Sequence, residues 1–485
     1  MAKIALIDLA DHFYDRHSIY SLLSVLIANG HEVSYIPNLK YNEILKRMKE
    51  IRPNLVLYST FTCDIPLYKR LDYLLKKEMS FTSLVGGHGP TYDPEHILET
   101  TIDALCMGEG EPAIIEFIES GFKGNNNVFL TKEFQPGGCT SGFNSFIDLD
   151  DLPLPNRDLV YEQDPILRDM PSKQFVAGRG CPYLCTYCHN HAYNEMFKES
   201  GAIIRFKSVD YLIEEIKQVK AKYPLKTIVF QDDVFILKRD WLREFCERFP
   251  KEVGIPFTCN VKAEIVAREE IVEMLKEGGC CHAAWSIESG NDHFRNKILK
   301  RNMSKKQILK AADNLNKYEI PHRVGNIIGM PGETYKNMLE TIELNILAKP
   351  KLAIGSIFTP YPGLELTDYA VNNNFLDPED LRNLPDTMYE HSMLKFTLEE
   401  KDNIQRIAYL FPWLVEFPFL YYKKLFFEGI LMKLPPVILR PFYHLFYSAK
   451  MGNIFKVKTS LKIKIGILRK YFFRSKTILS ETAEV

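Results

Sequence analysis

The sequence predicts an α/β protein with two parallel sheets, one open and doubly wound and one curled into a partial barrel. Short apolar runs alternate with helical patterns from residue 3 to about residue 120, and further strand–helix units follow after residue 171. From about Phe396 the chain changes character and becomes rich in aromatic and basic residues. Strands that alternate with helices form parallel sheets covered by helices. We therefore expect two α/β domains and then a mainly helical region.

The composition is that of an ordinary folded protein. Of the 485 residues, 46% are apolar and 25% are charged, and the formal net charge of −1 gives no global field that would attract nucleic acid. Ten cysteines are too few for a disulfide scaffold in a chain of this length. The apolar start is interrupted by Asp8 and Asp11, unlike a signal peptide, and no apolar run reaches the length of a membrane span. We expect a cytoplasmic protein.

The N-terminal domain, residues 1–147, is predicted to contain five parallel strands. They are Lys3–Leu9, His31–Ile36, Asn54–Ser59, Phe81–Val85 and Asp103–Met107. Ligands of such sheets bind beyond the carboxyl ends of the strands. Ser59 and Thr60, and Gly86 and Gly87, are at such ends. Because glycine lets a bulky ligand approach the backbone, this edge is a candidate binding site, and ordinary turns are the alternative.

A loop or short hairpin at 121–145 and a proline-rich, acidic linker at 148–170 are predicted to precede the second domain, residues 171–395. Its strands are one before Gly178, and then Thr227–Phe235, Pro256–Asn260, His282–Ile287, His322–Ile328 and Ala353–Phe358. Six parallel strands make an incomplete, TIM-like (β/α)6 barrel, with chemistry at the carboxyl ends of the strands. Asp232, Asp233 and Glu288 lie at or near such ends.

Three cysteines fall within eight residues at the start of this domain. Cys181, Cys185 and Cys188 have the spacing C-x3-C-x2-C and follow Gly178-Arg-Gly180. Three thiolates this close can hold three corners of an iron–sulfur cube and leave one iron without a protein ligand. A zinc site completed by His189 or His191 is the alternative, since structural zinc takes four ligands.

The cysteine motif, with the aromatic Tyr187 before its last cysteine, resembles the signature of the radical SAM superfamily. The resemblance implies a [4Fe–4S] cluster on the three cysteines, with S-adenosylmethionine on the open iron. Further segments match superfamily positions around that cofactor: Asp232 and Asp233, Glu288 in Ser286-Ile-Glu-Ser-Gly290, Gly329, and Pro362 in Pro360-Tyr-Pro-Gly363. Arg323 is a candidate partner for the cofactor carboxylate, and an ordinary salt bridge is its alternative.

The N-terminal domain resembles the Rossmann-like cobalamin-binding domain found in many radical SAM proteins. The resemblance rests on Gly30-His-Glu-Val33, Val85-Gly-Gly-His-Gly-Pro90 and Met107-Gly-Glu-Gly-Glu111. It implies that Ser59, Thr60, Gly86 and Gly87 line the channel for the nucleotide tail of cobalamin. Cobalamin methyltransferases often coordinate cobalt through Asp-x-His-x-x-Gly. The nearest match here, Asp15 to Tyr20, makes His17 a candidate ligand but has tyrosine in place of glycine, and a cap or surface role is the alternative.

The C-terminal region, residues 396–485, is predicted to be mainly helical, aromatic and basic. Between Phe419 and Lys476 there are thirteen lysines and arginines against one acid, Glu428. Three interpretations stay open: helices that cap the barrel, contact of residues 410–476 with the inner face of a membrane, and nucleic-acid binding without a recognisable module. Of the three, nucleic-acid binding is the least favoured, and no nucleic acid is expected as a partner.

The resemblance implies a cobalamin-dependent radical SAM enzyme. It would cleave S-adenosylmethionine reductively to a 5′-deoxyadenosyl radical and most commonly methylate an unactivated carbon, here of a small or lipid-like substrate. Its electron donor would be a reductase, a flavodoxin or a ferredoxin. The alternatives are a radical ring-forming or rearranging enzyme, a methylthiotransferase with a second cluster on Cys63, Cys106 and Cys139, and a non-catalytic cobalamin or redox sensor.

Four further cysteines lie in the second domain, Cys246, Cys259, Cys280 and Cys281. Their spacing suggests no second cluster, and we expect buried, inert thiols. The alternative is that Cys280 and Cys281 approach the substrate, because they come just before the strand that ends at Glu288.

Overall fold

A computed structural model describes residues 1–10, 14–98, 100–135, 142–382, 384–385, 391–455 and 463. These residues form two six-stranded sheets, a small two-stranded sheet and a group of C-terminal helices. The fold class is the predicted one: an open Rossmann-like sheet, a partial parallel barrel and a helical region follow one another along the chain.

The first sheet is parallel except at one edge. Its strands are β1 (Lys3–Ile7), β2 (Glu32–Ile36), β3 (Leu55–Thr60), β4 (Thr82–Gly87), β5 (Ala104–Cys106) and β6 (Val128–Leu130), and its helices are α1 (His17–Ala28), α2 (Tyr41–Ile51), α3 (Ile65–Glu78), α4 (His88–Tyr92) and α5 (Glu111–Glu119). The order is β2-β1-β3-β4-β5-β6, and only β5 and β6 run antiparallel. The sixth strand lies where the sequence predicts a loop or short hairpin.

Both faces of this sheet are buried, as its apolar strands predict. Along β1, Ile4 and Leu6 enter the core on one face, and Ala5 and Ile7 enter the core on the other. Strands that are buried on both sides read as continuous apolar runs instead of alternating ones. Helices therefore cover the two faces of the sheet.

The predicted linker is packed against both domains. It carries helices α6 (Asp158–Gln163) and α7 (Pro165–Asp169). The fully buried Arg157 lies 3.2 Å from a carboxylate oxygen of Asp15 in the first domain and 3.5 Å from one of Glu215 in the second. Breaking a buried ion pair leaves an uncompensated charge. This segment therefore links the two domains in sequence and also holds them together through ion pairs with residues of both.

The second sheet is the predicted six-stranded barrel. Its elements and the small sheet within it are β7 (Ser172–Phe175), β8 (Gly178–Arg179), α8 (His189–Met196), β9 (Arg205–Phe206), α9 (Val209–Lys222), β10 (Thr227–Phe230), α10 (Arg239–Glu252), β11 (Phe257–Asn260), α11 (Ala263–Val266), α12 (Glu269–Glu277), β12 (Cys280–Glu288), α13 (Lys305–Lys317), β13 (His322–Ile328), α14 (Tyr335–Ala348), β14 (Leu352–Ile357) and α15 (Glu365–Asn372). The order is β7-β10-β11-β12-β13-β14, all parallel, and β8 pairs antiparallel with β9.

Two of the cysteines outside the motif start a strand. Cys280 and Cys281 are the first residues of β12, and Glu288 is the last. In a parallel barrel the first residues of a strand lie at the edge opposite the chemistry. The structure therefore contradicts the alternative that this pair approaches the substrate beside Glu288. The Sγ atoms of Cys280 and Cys259 are 4.0 Å apart in the buried core.

The C-terminal helices cover the last strand of the barrel. They are α16 (Leu398–Glu416), α17 (Pro418–Tyr422), α18 (Lys424–Gly429) and α19 (Pro436–Phe455). Helix α16 begins with a capping box between Thr397 and Glu400 and buries its apolar side against the ends of β13 and β14. Within the described residues no helix is both long enough and apolar enough to cross a membrane.

Candidate active site between the two sheets

The three motif cysteines lie in the loop between β8 and α8. Cys181 and Cys185 are buried, and Cys188 is half-buried. A Cβ atom on Gly180 would overlap the backbone of Ile203, and the φ angle of Gly180 is +91°. Only glycine adopts such a conformation without strain. The glycine before the motif is therefore required by the path of the loop.

Two of the three sulfur atoms have nitrogen donors nearby. Nη1 of Arg301 is 3.7 Å from Sγ of Cys185, and Nδ2 of Asn190 is 3.7 Å from Sγ of Cys188. Burial raises the pKa of the Cys181 thiol to about 11, so without a metal this sulfur keeps its proton. N–H groups directed at cluster sulfurs are a usual means of tuning such centres. The donor set fits an iron–sulfur cluster.

Neither neighbouring histidine is engaged with the cysteines. The ring of His189 packs 4.4 Å from that of Tyr92, and Nδ1 of His191 is 3.6 Å from Glu365. The zinc alternative requires four ligands around one ion. Within the described ranges, no three His, Cys, Asp or Glu side chains are arranged to hold a single metal ion. A cubane cluster places each thiolate on a different iron, so its ligands need not converge on one point.

Asp232 holds the start of the cysteine loop. Its Oδ1 accepts the backbone N–H of Gly178 at 2.6 Å and that of Ala177 at 3.1 Å, and its Oδ2 accepts the latter at 3.0 Å. Burial raises the pKa of Asp232 to about 7, although these N–H groups act in the opposite direction. The sequence predicts a cofactor contact for this residue. The structure instead assigns its carboxylate to the backbone, because the loop leaves N–H groups that need an acceptor.

Asp233 points elsewhere. Its side chain lines the space between the two sheets. Burial raises the pKa of its carboxyl, and a hydrogen bond from Asn190 partly offsets that effect. Of the predicted acidic pair, only the second member therefore lines the cavity.

Tyr187 and Glu288 meet beside the cysteines. The Tyr187 hydroxyl donates to Oε1 of Glu288 at 2.8 Å. Glu288 is buried with a φ angle of +66°, and burial raises its pKa while Arg301 counteracts the rise. The Arg301 guanidinium also donates from Nη2 to the carbonyl of Ser286 at 2.6 Å. Two predicted cofactor residues are thus brought together at the end of β12.

Two buried cations at this edge were not predicted. One is Arg301, and the other is Lys262, whose Nζ lies 3.2 Å from a carboxylate oxygen of Glu264 and 3.2 Å from the ring centroid of Tyr183. Burial lowers the pKa of Lys262, and the charge of Arg301 adds to the effect. Both follow strand ends in loops, where a charged side chain usually faces water. Their position after β11 and β12 was the only signal in the sequence.

The three remaining predicted residues of this domain lie in different places. Arg323 is the second residue of β13 and pairs in register with Ala284, toward the amino end of the strand, so the strand direction places it away from the cysteines. A Cβ atom on Gly329 would lie 3.0 Å from Ile404 of α16, so this glycine meets a helix. Pro362 follows β14, next to Tyr361, whose ring centroid is 5.6 Å from that of His189.

A cavity of about 550 Å³ lies between the first sheet and the cysteine loop. On one side it is lined by Ser59, Thr60, Gly86 and Gly87, and on the other by Arg179, Gly180, His189, Asn190 and Asp233. Strand register places Ser59 beside Gly86 and Thr60 beside Gly87. A Cβ atom on Gly87 would lie 2.7 Å from the carbonyl oxygen of Thr60. The four predicted residues therefore share one open surface.

Ion pairs fix the two sides of the cavity to each other. Arg179 of β8 lies 2.5 Å from Glu111 and 3.1 Å from Glu109 of the first domain, and Arg205 of β9 also pairs with Glu109. Burial alone would raise the pKa of Glu111, but the Arg179 guanidinium holds it at about 2. The cysteine loop and the first sheet are thus held at a defined spacing.

Sequence models of two families match the two halves of this site. The model of the radical SAM superfamily matches residues 175–344, and that of the B12 binding domain matches residues 14–118. The chain belongs to the cobalamin-binding radical SAM family. This radical SAM enzyme accordingly uses a [4Fe–4S] cluster, S-adenosylmethionine and cobalamin.

Two methyltransferases are among the curated proteins to which the radical SAM enzyme is similar. It is 25% identical over 401 residues to an uncharacterized methyltransferase of Pyrococcus horikoshii, with 80% of this chain and 85% of the relative covered. It is also 25% identical over 388 residues to cytidylyl-2-hydroxyethylphosphonate methyltransferase of Streptomyces wedmorensis, with 70% of each covered. Among solved structures, the cobalamin-dependent S-adenosylmethionine radical enzyme OxsB with aqua-cobalamin bound has a TM-score of 0.62 at 16% identity, covering 99% of this chain and 76% of OxsB. That likeness shows a shared fold.

His17 of the radical SAM enzyme is held at the domain boundary. Its Nε2 lies 2.9 Å from the carbonyl oxygen of Gln174 and 3.1 Å from Nη2 of Arg157. Burial and the charge of Arg157 lower its pKa to about 4, so the ring is neutral. The nearby Tyr20, which replaces the glycine of the cobalt-binding pattern, donates to Asp15 at 2.7 Å. These contacts favour domain docking over the predicted cobalt ligation.

Proposed function

We propose that this enzyme transfers a methyl group to an unactivated carbon of an apolar or lipid-like substrate. The observation that carries the proposal is the shared cavity, which has the predicted cobalamin residues on one side and the cysteine loop with Asp233 on the other. A methyl donor and a radical source bound at these places would face the same cavity. Two of the curated relatives are named as methyltransferases, which supports the same reaction.

Different residues of the chain bind the cluster and position the loop that carries its ligands. Cys181, Cys185 and Cys188 hold three irons of the cluster. When bound, the reduced cluster with S-adenosylmethionine supplies a hydrogen-abstracting radical, and methylcobalamin supplies the methyl group. Asp232 keeps the cysteine loop in position through the backbone of Ala177 and Gly178.

Charged groups around the cluster match the charges of S-adenosylmethionine. We assign the carboxylate of the cofactor to the cations Arg301 and Lys262, which replace Arg323 in that role because they are buried near Cys185. Asp233 and the Glu288–Tyr187 pair offer acceptors to its amine or ribose hydroxyls. Charge-assisted hydrogen bonds are about twice as strong as neutral ones, so these groups would fix the cofactor's orientation.

The first domain leaves room for the nucleotide tail of cobalamin. Ser59 and Thr60 present hydroxyls at the end of β3, and Gly86 and Gly87 leave the neighbouring strand end without side chains. Nη2 of Arg16 donates to Oγ of Ser59 at 3.1 Å, which orients that hydroxyl. This edge is where open α/β sheets bind their ligands.

An apolar substrate is proposed because the C-terminal helices expose an apolar surface, which suits an enzyme that meets lipid-like molecules. The electron donor is proposed to be a reductase, a flavodoxin or a ferredoxin. A ring-forming or rearranging outcome uses the same machinery and is the main alternative.

The methylthiotransferase alternative needs a second cluster in the first domain. Cys63 is exposed after β3, Cys106 is buried in β5, and Cys139 lies outside the described residues. Iron analysis separates the alternatives, since one cluster gives about four irons per chain and two clusters give about eight.

The proposal is tested by anaerobic reconstitution with iron, sulfide and cobalamin, followed by reduction with S-adenosylmethionine that carries a deuterated methyl group. Organic-solvent and aqueous extracts of small molecules serve as substrates. We expect a product with one deuterated methyl group from the organic-solvent extract. Cleavage of the cofactor without any deuterated product would contradict methyl transfer and favour a rearrangement.

A further inference from the structure

The C-terminal helices expose an unusual concentration of large apolar side chains. The described part of the chain exposes seventeen such residues, and nine of them fall between residues 419 and 445: Phe419, Tyr422, Leu425, Phe426, Ile430, Val437, Ile438, Phe442 and Leu445. We call these nine side chains the C-terminal apolar surface. Scattered exposed apolar residues need no explanation, but a concentration of this kind marks an interaction surface.

Helix α19 shows why this surface is not part of the core. Its inner side carries Leu439 and Tyr443, which are buried against α16. Ile438, Phe442 and Leu445, at the i, i+4, i+7 spacing of one helix face, are exposed. The helix therefore has two apolar sides, one already packed and one without a covering element in the described structure.

Basic side chains accompany the surface. Lys423, Lys424, Lys433 and Arg440 are exposed in the same stretch. The one acid between residues 419 and 445 is Glu428, which lies 3.9 Å from Lys424. Exposed aromatic and aliphatic groups with lysines and arginines between them suit the headgroup zone of an anionic bilayer, where the apolar groups enter the acyl boundary and the cations meet phosphates.

The same charges disfavour two other occupants. A symmetric dimer through this surface would place the four basic side chains against the same four of a second copy, since a two-fold interface pairs a patch with itself. Residues 456–485 carry eight lysines and arginines against two glutamates, so this segment would also bring positive charge to a basic surface. An anionic lipid surface is the occupant whose charge is complementary.

We propose that the C-terminal apolar surface binds the enzyme peripherally to membranes that contain anionic lipids. The contact lies on the side of the barrel covered by α16, whose Ile404 packs against Gly329 beyond the end of β13. Helices α19 and α16 would thus separate the membrane surface from the carboxyl ends of the barrel strands. Surface binding does not depend on which reaction the enzyme catalyses, so it can fail or hold independently of methyl transfer.

The test is flotation of the full reconstituted chain with vesicles of phosphatidylcholine alone or mixed with phosphatidylglycerol. We expect binding to the mixed vesicles that weakens as salt is raised, and little binding to phosphatidylcholine alone. Leu445→Ser should reduce partitioning by about tenfold, because a large apolar side chain no longer leaves water. Leu347→Ser on α14 is the matched control, since Leu347 is 59% exposed and Leu445 71% exposed, and it should bind like the parent.

A second variant tests the charges. Lys423→Ser combined with Lys424→Ser should weaken binding to mixed vesicles by about tenfold and reduce its salt dependence. Both variants change exposed side chains, and circular dichroism checks that their helix content is unchanged. Equal binding of Leu445→Ser and Leu347→Ser, equal binding to the two vesicle types, or a dimer that Leu445→Ser dissociates would each overturn the proposal.

Discussion

The guanidinium of Arg301 joins the cysteine loop to the end of β12. Its Nη1 lies 3.7 Å from Sγ of Cys185, and its Nη2 donates to the carbonyl oxygen of Ser286 at 2.6 Å. Glu288, two residues further along the strand, is close enough for the Arg301 charge to oppose the rise of its pKa. One loop arginine thus connects a predicted cluster ligand with an acid that the family resemblance assigns to the cofactor.

Replacing Arg301 by glutamine should weaken binding of S-adenosylmethionine by about tenfold, since a charge-assisted hydrogen bond to the cofactor carboxylate is lost. Binding is measured by equilibrium dialysis of the reconstituted enzyme, with iron content determined in parallel. Arg323→Gln is the control, because that arginine lies toward the amino end of β13, and it should change affinity less than twofold. A greater loss of affinity for S-adenosylmethionine in Arg323→Gln than in Arg301→Gln would instead assign the cofactor carboxylate to Arg323.

Asp232 and Asp233 are neighbours in sequence with different assignments. Asp232→Asn should destabilise the apoprotein by about 1–3 kcal/mol, because an amide cannot accept all the N–H groups that the carboxylate accepts. Asp233→Asn should leave thermal stability close to that of the parent and weaken cofactor binding instead. Thermal unfolding and cofactor dialysis of both variants check this division. The reverse pattern, with Asp233→Asn less stable and Asp232→Asn unaffected, would contradict it.

His17→Gln should retain cobalamin without change at the metal, because the His17 ring is already engaged with Gln174 and Arg157. The electron paramagnetic resonance spectrum of bound cob(II)alamin reports an axial nitrogen as additional splitting. We expect the same spectrum for the parent and His17→Gln. Nitrogen splitting that disappears only in the variant would identify His17 as the cobalt ligand after all.

Acid should loosen the contact between the two domains through Glu111. The pKa of Glu111 is about 2 in the folded protein, whereas that of an unperturbed glutamate is 4.5. A carboxyl with a depressed folded pKa contributes stability above its unfolded pKa and loses it as the pH falls through the folded value. The contribution is at most about 3 kcal/mol near neutral pH and decreases between about pH 4.5 and pH 2.

Thermal unfolding of the apoprotein across that pH range measures this effect. Glu111→Gln should be less stable than the parent at neutral pH, and the difference should shrink as the pH falls. Glu50→Gln, at an exposed position of α2, is the control and should follow the parent. A parent–variant difference that stays constant from neutral pH to pH 2 would show that the ionised form of Glu111 is not what stabilises the interface.

The parts of the fold that could be predicted are those with a local signal. Apolar runs such as Leu55–Thr60, followed by helical patterns, specify a parallel sheet because both faces must be covered by helices. The three-residue strand β6 has no such signal, since its pairing with β5 depends on a contact made after the sheet has formed. The sequence therefore predicts five of the six strands of the first sheet.

The part of the site that could be predicted consists of residues that are close together in the sequence. Cys181, Cys185 and Cys188 are close in sequence, so their approach in space follows from the chain itself. Arg301 is 116 residues from the cysteine it contacts, and a single charged loop residue has no pattern that distinguishes it from a solvated one. His17 is the opposite case: a local pattern suggests a cobalt ligand, while the groups that its ring contacts come from residues 140 and 157 positions away.

The cysteine triplet is expected to hold a cluster that cleaves S-adenosylmethionine. The most direct measurement is 5′-deoxyadenosine formed when the anaerobically reconstituted enzyme is reduced in the presence of S-adenosylmethionine, with Cys185→Ala as the control. We predict 5′-deoxyadenosine from the parent, at about four irons per chain, and none from Cys185→Ala. A parent enzyme that carries this iron and cobalamin and still forms no 5′-deoxyadenosine would contradict cleavage of S-adenosylmethionine at this triplet.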